Sequence, residues 1–228
     1  MSQIQFQFEN TNANFEEDIH IGRAIIAGWT SSDKKAVEKH IRELEELGVQ
    51  RPDQTPCFYP VSASRLINAP SIEVIGNDSS GEVEFVLLMR QGELWIGLGS
   101  DHTDRKVESY DVVVSKQLCD KPIASTLWRF SDIESHWDQL VMRSYIMQDG
   151  VRTLYQEGSV TEMINPHDLV SQYENTAKTG FADNDIMYGG TFPAIGGIQY
   201  SSCFEFEIID PLLDRKISHK YDIDIIDI

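Results

Sequence analysis

Over most of this chain apolar and polar positions alternate in short runs, a pattern that predicts strands rather than helices. After a polar start, residues 23–28 read as one strand ending at Trp29. From Ser71 onward a first group of strands is expected at 72–75, 81–90, 93–99 and 107–114. A second group follows at 142–148, 151–155, 186–188, 204–209 and 217–226. Helical spacing is rarer. Ser31, Ser32 and Asp33 supply an N-cap, and Val37, Ile41 and Leu44 recur one turn apart until Gly48, so a helix is predicted over 33–48. Further helical pieces are expected around 130–140 and within 168–184, the latter running into a polar loop. Residues 51–60 read as a proline-punctuated connection, and turns are signalled at Asp149-Gly150, Glu157-Gly158 and Gly196-Gly197.

The register of one hairpin brings chemistry with it. With Gln91-Gly92 as a two-residue turn, Arg90 pairs with Glu93, and counting outward sets Gly99 opposite Glu84 and Asp101 opposite Glu82. Opposed residues share a face, as do residues two apart in a strand, so Glu82, Glu84 and Asp101 converge. Three converging carboxylates repel one another unless a cation sits between them. An all-oxygen set selects a hard divalent ion, Mg²⁺ first, then Mn²⁺ or Ca²⁺. The competing reading is a solvated strand edge, the ordinary fate of Glu-x-Glu, and a one-residue slip would turn Asp101 to the other face.

Composition narrows the partners. With 41% hydrophobic residues in 228, the chain can bury a full core as one domain. Its net charge of −18 disfavours nucleic acid and anionic membrane surfaces, so an anionic substrate needs local Arg, Lys or metal. Met1 is followed by polar sequence and no run approaches the ~20 apolar residues of a membrane span, which leads to a cytoplasmic expectation. Cys57, Cys119 and Cys203 are widely spaced and odd in number, and read as buried free thiols.

A series of motifs then resembles the fumarylacetoacetate hydrolase superfamily, metal-dependent enzymes acting on β-keto and acylpyruvate-type acids. That family's E-x-E-L is similar to Glu82-Val83-Glu84-Phe85, and its N-D-x-T-x-R to Ser100-Asp101-His102-Thr103-Asp104-Arg105. Its lysine followed by a proline resembles Lys116 with Pro122-Ile123. Its N-G-x-x-x-Q-x-G-x-T resembles residues 149–159, which carry Gln156, and its G-T-P-x-G-x-G resembles residues 190–196, which carry Thr191. The resemblance covers about residues 80–210. It implies Glu82, Glu84 and Asp101 as ligands of Mg²⁺ or Mn²⁺, and Arg105, Lys116, Gln156 and Thr191 at the substrate's carboxylate and carbonyl oxygens. A fork-shaped guanidinium, an ammonium and a metal would together hold an anion against the field of so acidic a chain. Solvated salt bridges, for Arg105 with Asp104 or Glu108, are the plain alternative.

Three departures mark a divergent, compact branch. The family's G-x-N-Y-x-x-H-x-x-E is absent as such, and the nearest His-x-x-Glu is His40-Ile41-Arg42-Glu43 on the predicted helix. There Glu43 lies one turn from His40 and can orient it as a general base, with 33–48 acting as a lid. Glu84 and Asp101 are closer in sequence than is usual in the family, and Phe192 interrupts G-T-P. His20, His102, His136, His167 and His219 default to structural or surface roles, with His102 the one beside the expected ligands.

The resemblance implies a mainly β fold with a few helices, a rolled or barrel-like mixed sheet, and a homodimer. A single domain over 1–228 is expected, with 1–70 as an N-terminal segment and 71–228 as the metal-binding β-roll. The implied activity is C–C bond hydrolysis of an acylpyruvate-type acid, with decarboxylase, tautomerase or dehydratase chemistry as alternatives. A non-catalytic binding protein keeping the fold is the reading from a different class.

Overall fold

Eight strands form the largest sheet, in the spatial order Asn14–His20, Gln3–Glu9, Thr126–Arg129, Glu93–Ser100, Val83–Arg90, Ile186–Tyr188, Ala24–Gly28 and Cys57–Val61. The structure, a computed structural model, describes residues 2–46, 51–52 and 54–226. A five-stranded sheet runs in the order Val151–Ser159, Val141–Gln148, Cys203–Asp210, Arg215–Ile226 and Ser71–Ile75. Helices are few and short, the longest being Lys34–Glu46 and Pro166–Thr176. The fold is mainly β, a curled mixed sheet, as expected.

One apolar cluster joins the sheets. Val83, Phe85, Leu87, Ile96 and Leu98 of the central hairpin meet Ile72, Met142, Phe204, Phe206 and Tyr221 of the five-stranded sheet, all buried. The opposite face of the hairpin, through Val86, Leu88 and Trp95, packs on Phe6, Phe8, Ile26 and Leu127 in a second cluster. Covered on both faces, the hairpin has little freedom to slip register, because a shift would reverse every side chain. Val83–Arg90 is accordingly almost continuously buried rather than alternating.

Several sequence expectations are corrected. The polar start is a strand pair, Gln3–Glu9 with Asn14–His20, closed by Asn10, whose Oδ1 accepts from the N–H groups of Asn12 (2.8 Å) and Ala13 (2.9 Å). It is charged because its outer strand is an exposed edge. Residues 107–114 are not a strand: Asp104 caps a turn at Arg105–Glu108 and Asp111 caps the helix Val112–Leu118, accepting from Val114 N–H at 2.9 Å. Capping outweighs the β-branched run there because Val112, Val113 and Val114 are not packed in a sheet. Glu157-Gly158 is no turn but the end of Val151–Ser159, where Gly158 leaves room for Phe192. Residues 51–60 include the strand Cys57–Val61, and Cys57 is only half-buried, while Cys119 and Cys203 are buried free thiols.

Candidate metal centre

At the open end of the hairpin the chain delivers its carboxylates as the register predicts. Arg90 pairs with Glu93 and Glu84 with Gly99, and Asp101 N–H donates to the Glu82 carbonyl at 3.0 Å. One oxygen from each of Glu82, Glu84 and Asp101 lies within 4.8 Å of the others. Glu84 and Asp101 are buried and Glu82 is half-buried, so the group opens at one side only.

Each carboxylate is held differently. Gly190 N–H donates to Glu84 Oε2 at 2.8 Å. Burial, with the Asp101 and Glu82 charges adding to it, pushes the Glu84 carboxyl well above the usual carboxylate range. Asp101 is the opposite case: burial alone would raise it, but Lys116 and Lys121 outweigh burial and lower it to about 2. Lys121 Nζ stands 3.2 Å from Asp101 Oδ1, and Lys116 Nζ stands 2.7 Å from Asp101 Oδ2. The latter contact lacks hydrogen-bonding geometry, and Asp101 Oδ2 is a buried oxygen without a hydrogen-bond partner. Its near neighbour is the Lys116 ammonium, and a cation-facing oxygen beside two other carboxylates fits a metal ion.

Lys116 also reaches Glu108 Oε1 (3.2 Å), Glu82 Oε2 (3.5 Å) and Thr103 Oγ1 (3.2 Å). Burial opposes its charge, but Asp101, Glu82 and Glu108 prevail and hold the ammonium above its ordinary range. Arg105 Nη1 bridges Glu82 Oε1 (3.1 Å) and Glu108 Oε2 (2.8 Å), while Nε donates to Ser80 Oγ at 2.7 Å. Arg105 and Lys116 thus sit with the carboxylates and not at the surface, with Glu108 shared between them.

Gln156 and Thr191 tie a loop to the hairpin. Gln156 Nε2 donates to Thr191 Oγ1 (2.8 Å) and to the Phe192 carbonyl (2.7 Å), and Gln156 Oε1 accepts from Val83 N–H (3.0 Å) and Ser144 Oγ (2.9 Å). Thr191 Oγ1 donates to the Val83 carbonyl at 2.8 Å. Gln156 is fully engaged within the protein. The Phe192 that interrupts the glycine-rich motif is buried in the main core.

Several partners had no local sequence signal. Lys121 is fully buried and its Nζ donates to the His102 carbonyl at 2.6 Å. His102 is pinned between Ser79 Oγ and Tyr221 Oη, each at 2.9 Å, and Tyr221 Oη also meets Ser100 Oγ at 2.9 Å. Burial, with Lys121 and Arg105, lowers His102 to about 3, so the imidazole is neutral. Ser100 and His102 flank Asp101, and Tyr221 therefore clamps the ligand strand from the opposite sheet. Only the pairing of the two sheets reveals this.

His40 and Glu43 lie on the helix Lys34–Glu46, and their side chains lie outside the described residues. That helix borders a cavity of about 630 Å³, whose lining includes Trp29, Lys34, Val37, Glu38, Trp137 and Asp168 but none of the three carboxylates. Thr30 connects the two regions: its carbonyl accepts from Ile164 N–H at 2.7 Å, and its hydroxyl stands against Gly190, whose N–H holds Glu84. No helix among the described residues is long and apolar enough to cross a membrane.

Solved structures share this fold. The chain is similar to the crystal structure of Cg1458 with inhibitor, with a TM-score of 0.63 at 17% identity, over 96% of this chain and 84% of that one. It is similar to 2-keto-3-deoxyarabinonate dehydratase in a hexagonal crystal form, with a TM-score of 0.62 at 14% identity, over 95% and 79%. The same holds for 2-keto-3-deoxy-D-arabinonate dehydratase complexed with magnesium and 2,5-dioxopentanoate, at 0.62 and 15%, over 94% and 77%. At these identities the likeness defines the fold. No curated protein matches the sequence. The family described as "Protein of unknown function (DUF2848)" matches residues 27–221, and the chain belongs to that family.

Proposed function

We propose that this protein is a divalent-metal-dependent enzyme of the fumarylacetoacetate hydrolase superfamily, acting on a small 2-oxo acid. The observation that carries the reading is the convergence of Glu82, Glu84 and Asp101 within 4.8 Å, with a buried Asp101 oxygen lacking a hydrogen bond. Glu82, Glu84 and Asp101 would hold Mg²⁺ or Mn²⁺. When bound, such an ion supplies Lewis-acid stabilisation of negative charge developing on a 2-oxo acid. The magnesium and 2,5-dioxopentanoate in one neighbour of the same fold support both halves of the proposal.

The chain's own residues supply the rest. Lys116 and Arg105 give positive potential for a carboxylate that the global charge of −18 would repel. Arg105 also orients Glu82 through its 3.1 Å contact, and Gln156 orients Thr191, the loop residue we place at the substrate. The net result is an anion held beside the carboxylates, with the C–H bonds of C3, the carbon next to its ketone, acidified.

Elimination and C–C cleavage diverge after that point. A dehydratase removes a proton α to the ketone and expels the β-hydroxyl as water; a C–C hydrolase needs a water delivered to the remote carbonyl. The dehydratase neighbours favour elimination, a lyase reaction, and hydrolysis is the second reading, carried by His40-Glu43 on a lid over 33–48. We extend the reading to a single catalytic domain over 1–228, a homodimer and a cytoplasmic location, without nucleic acid or membrane as partners.

The test has two arms. Mg²⁺ or Mn²⁺ should raise the melting temperature of the wild type, and Glu84→Gln should abolish the shift while the ion-free fold survives. A panel of 2-oxo acids bearing a hydroxyl on C4, β to the ketone, or a second carbonyl, should then show turnover that chelator removes. Equal metal shifts in wild type and Glu84→Gln would end the assignment.

A further inference from the structure

We propose that Lys121 is a positioning residue that sets which cation the site accepts, by occupying one oxygen of Asp101 and leaving an ion only the other, against which the Lys116 ammonium stands. The inference rests on the metal reading above. Lys121 is fully buried, and its Nζ lies 3.2 Å from Asp101 Oδ1. Thr103 Oγ1 donates to the same oxygen at 3.3 Å. Oδ1 is therefore held chiefly by Lys121, since the Thr103 hydroxyl lies nearer the Asp101 carbonyl at 3.0 Å, whereas Oδ2 meets the Lys116 ammonium at 2.7 Å.

Neither side of this contact can relax freely. The strand Lys121–Pro122 pairs with Leu66–Ile67, and the Lys121 carbonyl accepts from Tyr188 Oη at 3.1 Å. Its ammonium donates to the His102 carbonyl at 2.6 Å, and His102 is itself held by Ser79 and Tyr221. Swinging Nζ off Asp101 would leave an ammonium unpaired in the interior, which is heavily disfavoured. Glu84 is constrained in the same sense, since its Oε2 is engaged by Gly190 N–H at 2.8 Å.

Coordination chemistry turns this restraint into selectivity. Mg²⁺ and Mn²⁺ are satisfied by carboxylates giving one oxygen each, whereas Ca²⁺ takes six to eight oxygens and draws on carboxylates that give two. A triad whose buried aspartate is limited to one oxygen favours the smaller ions. Removing Lys121 takes the ammonium off Oδ1, leaving only the longer Thr103 contact there, and relaxes the limit.

Calorimetry on chelator-stripped protein with Mg²⁺, Mn²⁺ and Ca²⁺ tests the inference. The wild type should bind Mn²⁺ at least about tenfold more tightly than Ca²⁺, and Lys121→Met should bring the two within roughly threefold. An unchanged Mn²⁺/Ca²⁺ ratio in Lys121→Met overturns the role of Lys121 while leaving the metal site standing. Absence of binding by all three ions in the wild type overturns the metal reading, and this inference with it. Should Lys121→Met fail to fold, a wild-type crystal soaked in Mn²⁺ decides: ligation through Asp101 Oδ2 alone, with Lys121 still on Oδ1, supports the inference, and ligation through both oxygens overturns it.

Discussion

Lys116 Nζ stands 2.7 Å from Asp101 Oδ2, the oxygen that is left for a cation once Lys121 and Thr103 have taken Oδ1. Lysine and metal thus compete for one atom. Lys116→Met should tighten Mn²⁺ binding by about tenfold, ~1.4 kcal/mol, because a like charge leaves the site. Oxalate binding in the presence of metal should weaken by a similar factor or more, since the anion loses a charged donor. Paired titrations with Mn²⁺ and oxalate measure both. Weaker metal binding in the variant would show that Lys116 assists the ion rather than opposing it.

Gly190 is where the loop over 190–196 touches the metal centre, and its backbone explains why glycine stands there. Its φ is +98°, a conformation side chains rarely adopt, and a Cβ would collide with the Thr30 hydroxyl. Gly190→Ala should cost about 2–3 kcal/mol of stability and pull the N–H away from Glu84. The expected outcome is a lower melting temperature together with a smaller metal-induced shift. A full metal shift on a destabilised protein would separate the loop from the site.

Asp210 makes a test of pH-dependent stability far from the carboxylates. It is buried, its Oδ2 meets His136 Nε2 at 3.1 Å and accepts from Arg215 Nε at 3.2 Å, and its Oδ1 accepts from Leu212 and Leu213 N–H at 3.1 Å. Burial alone would raise this carboxyl, but those partners prevail and lower it. A carboxyl lowered on folding contributes stability that is present above its unfolded pKa and lost as pH falls through the folded one. Asp210→Asn should therefore destabilise by about 3 kcal/mol near neutral pH, with the gap to wild type closing below about pH 4. Denaturant melts at pH 7, 5 and 3.5 give the comparison; a gap constant with pH would mean the ionised form contributes nothing.

His40 separates the two chemistries. If His40, oriented by Glu43, delivers water, His40→Ala should lower kcat for acylpyruvate cleavage by about 10²–10⁴-fold while metal and oxalate binding stay intact. Elimination from a 4-hydroxy 2-oxo acid does not need that water and should suffer far less. Both reactions are to be followed in wild type and variant. Cleavage at the wild-type rate in His40→Ala would make the His-x-x-Glu match accidental.

The central hairpin shows how much a register argument can carry. A two-residue turn and a period of two leave only one pairing in which both faces of the hairpin are buried, so Glu82, Glu84 and Asp101 could be placed together from spacing alone. Most strands were legible for the same local reason, as was the absence of disulfides. Arg105 and Lys116 came from motif resemblance, as groups expected at the substrate, and the structure places them against Glu82, Asp101 and Glu108.

Contacts between distant segments left no such trace. Lys121 reads locally as one more charged residue before a proline, and Tyr221 as an ordinary strand aromatic. Their roles exist because the five-stranded sheet closes over the hairpin and brings residue 221 to residues 100 and 102. The strand pair at the N-terminus was hidden only in part, since Ile4, Phe6 and Phe8 alternate with polar residues along Gln3–Glu9 and that strand was legible. Its outer strand is an exposed edge and carries charge where alternation would have shown. Residues 107–114 misled in the other direction, because β-branched side chains favour strands only where a sheet receives them, and here two aspartate caps and a lack of neighbours made helices instead. Local pattern determines pairing within a hairpin, since turn and period are properties of adjacent residues. Which buried cation faces which carboxylate is settled only when the sheets pack, since burial and charge pairing are properties of the closed molecule.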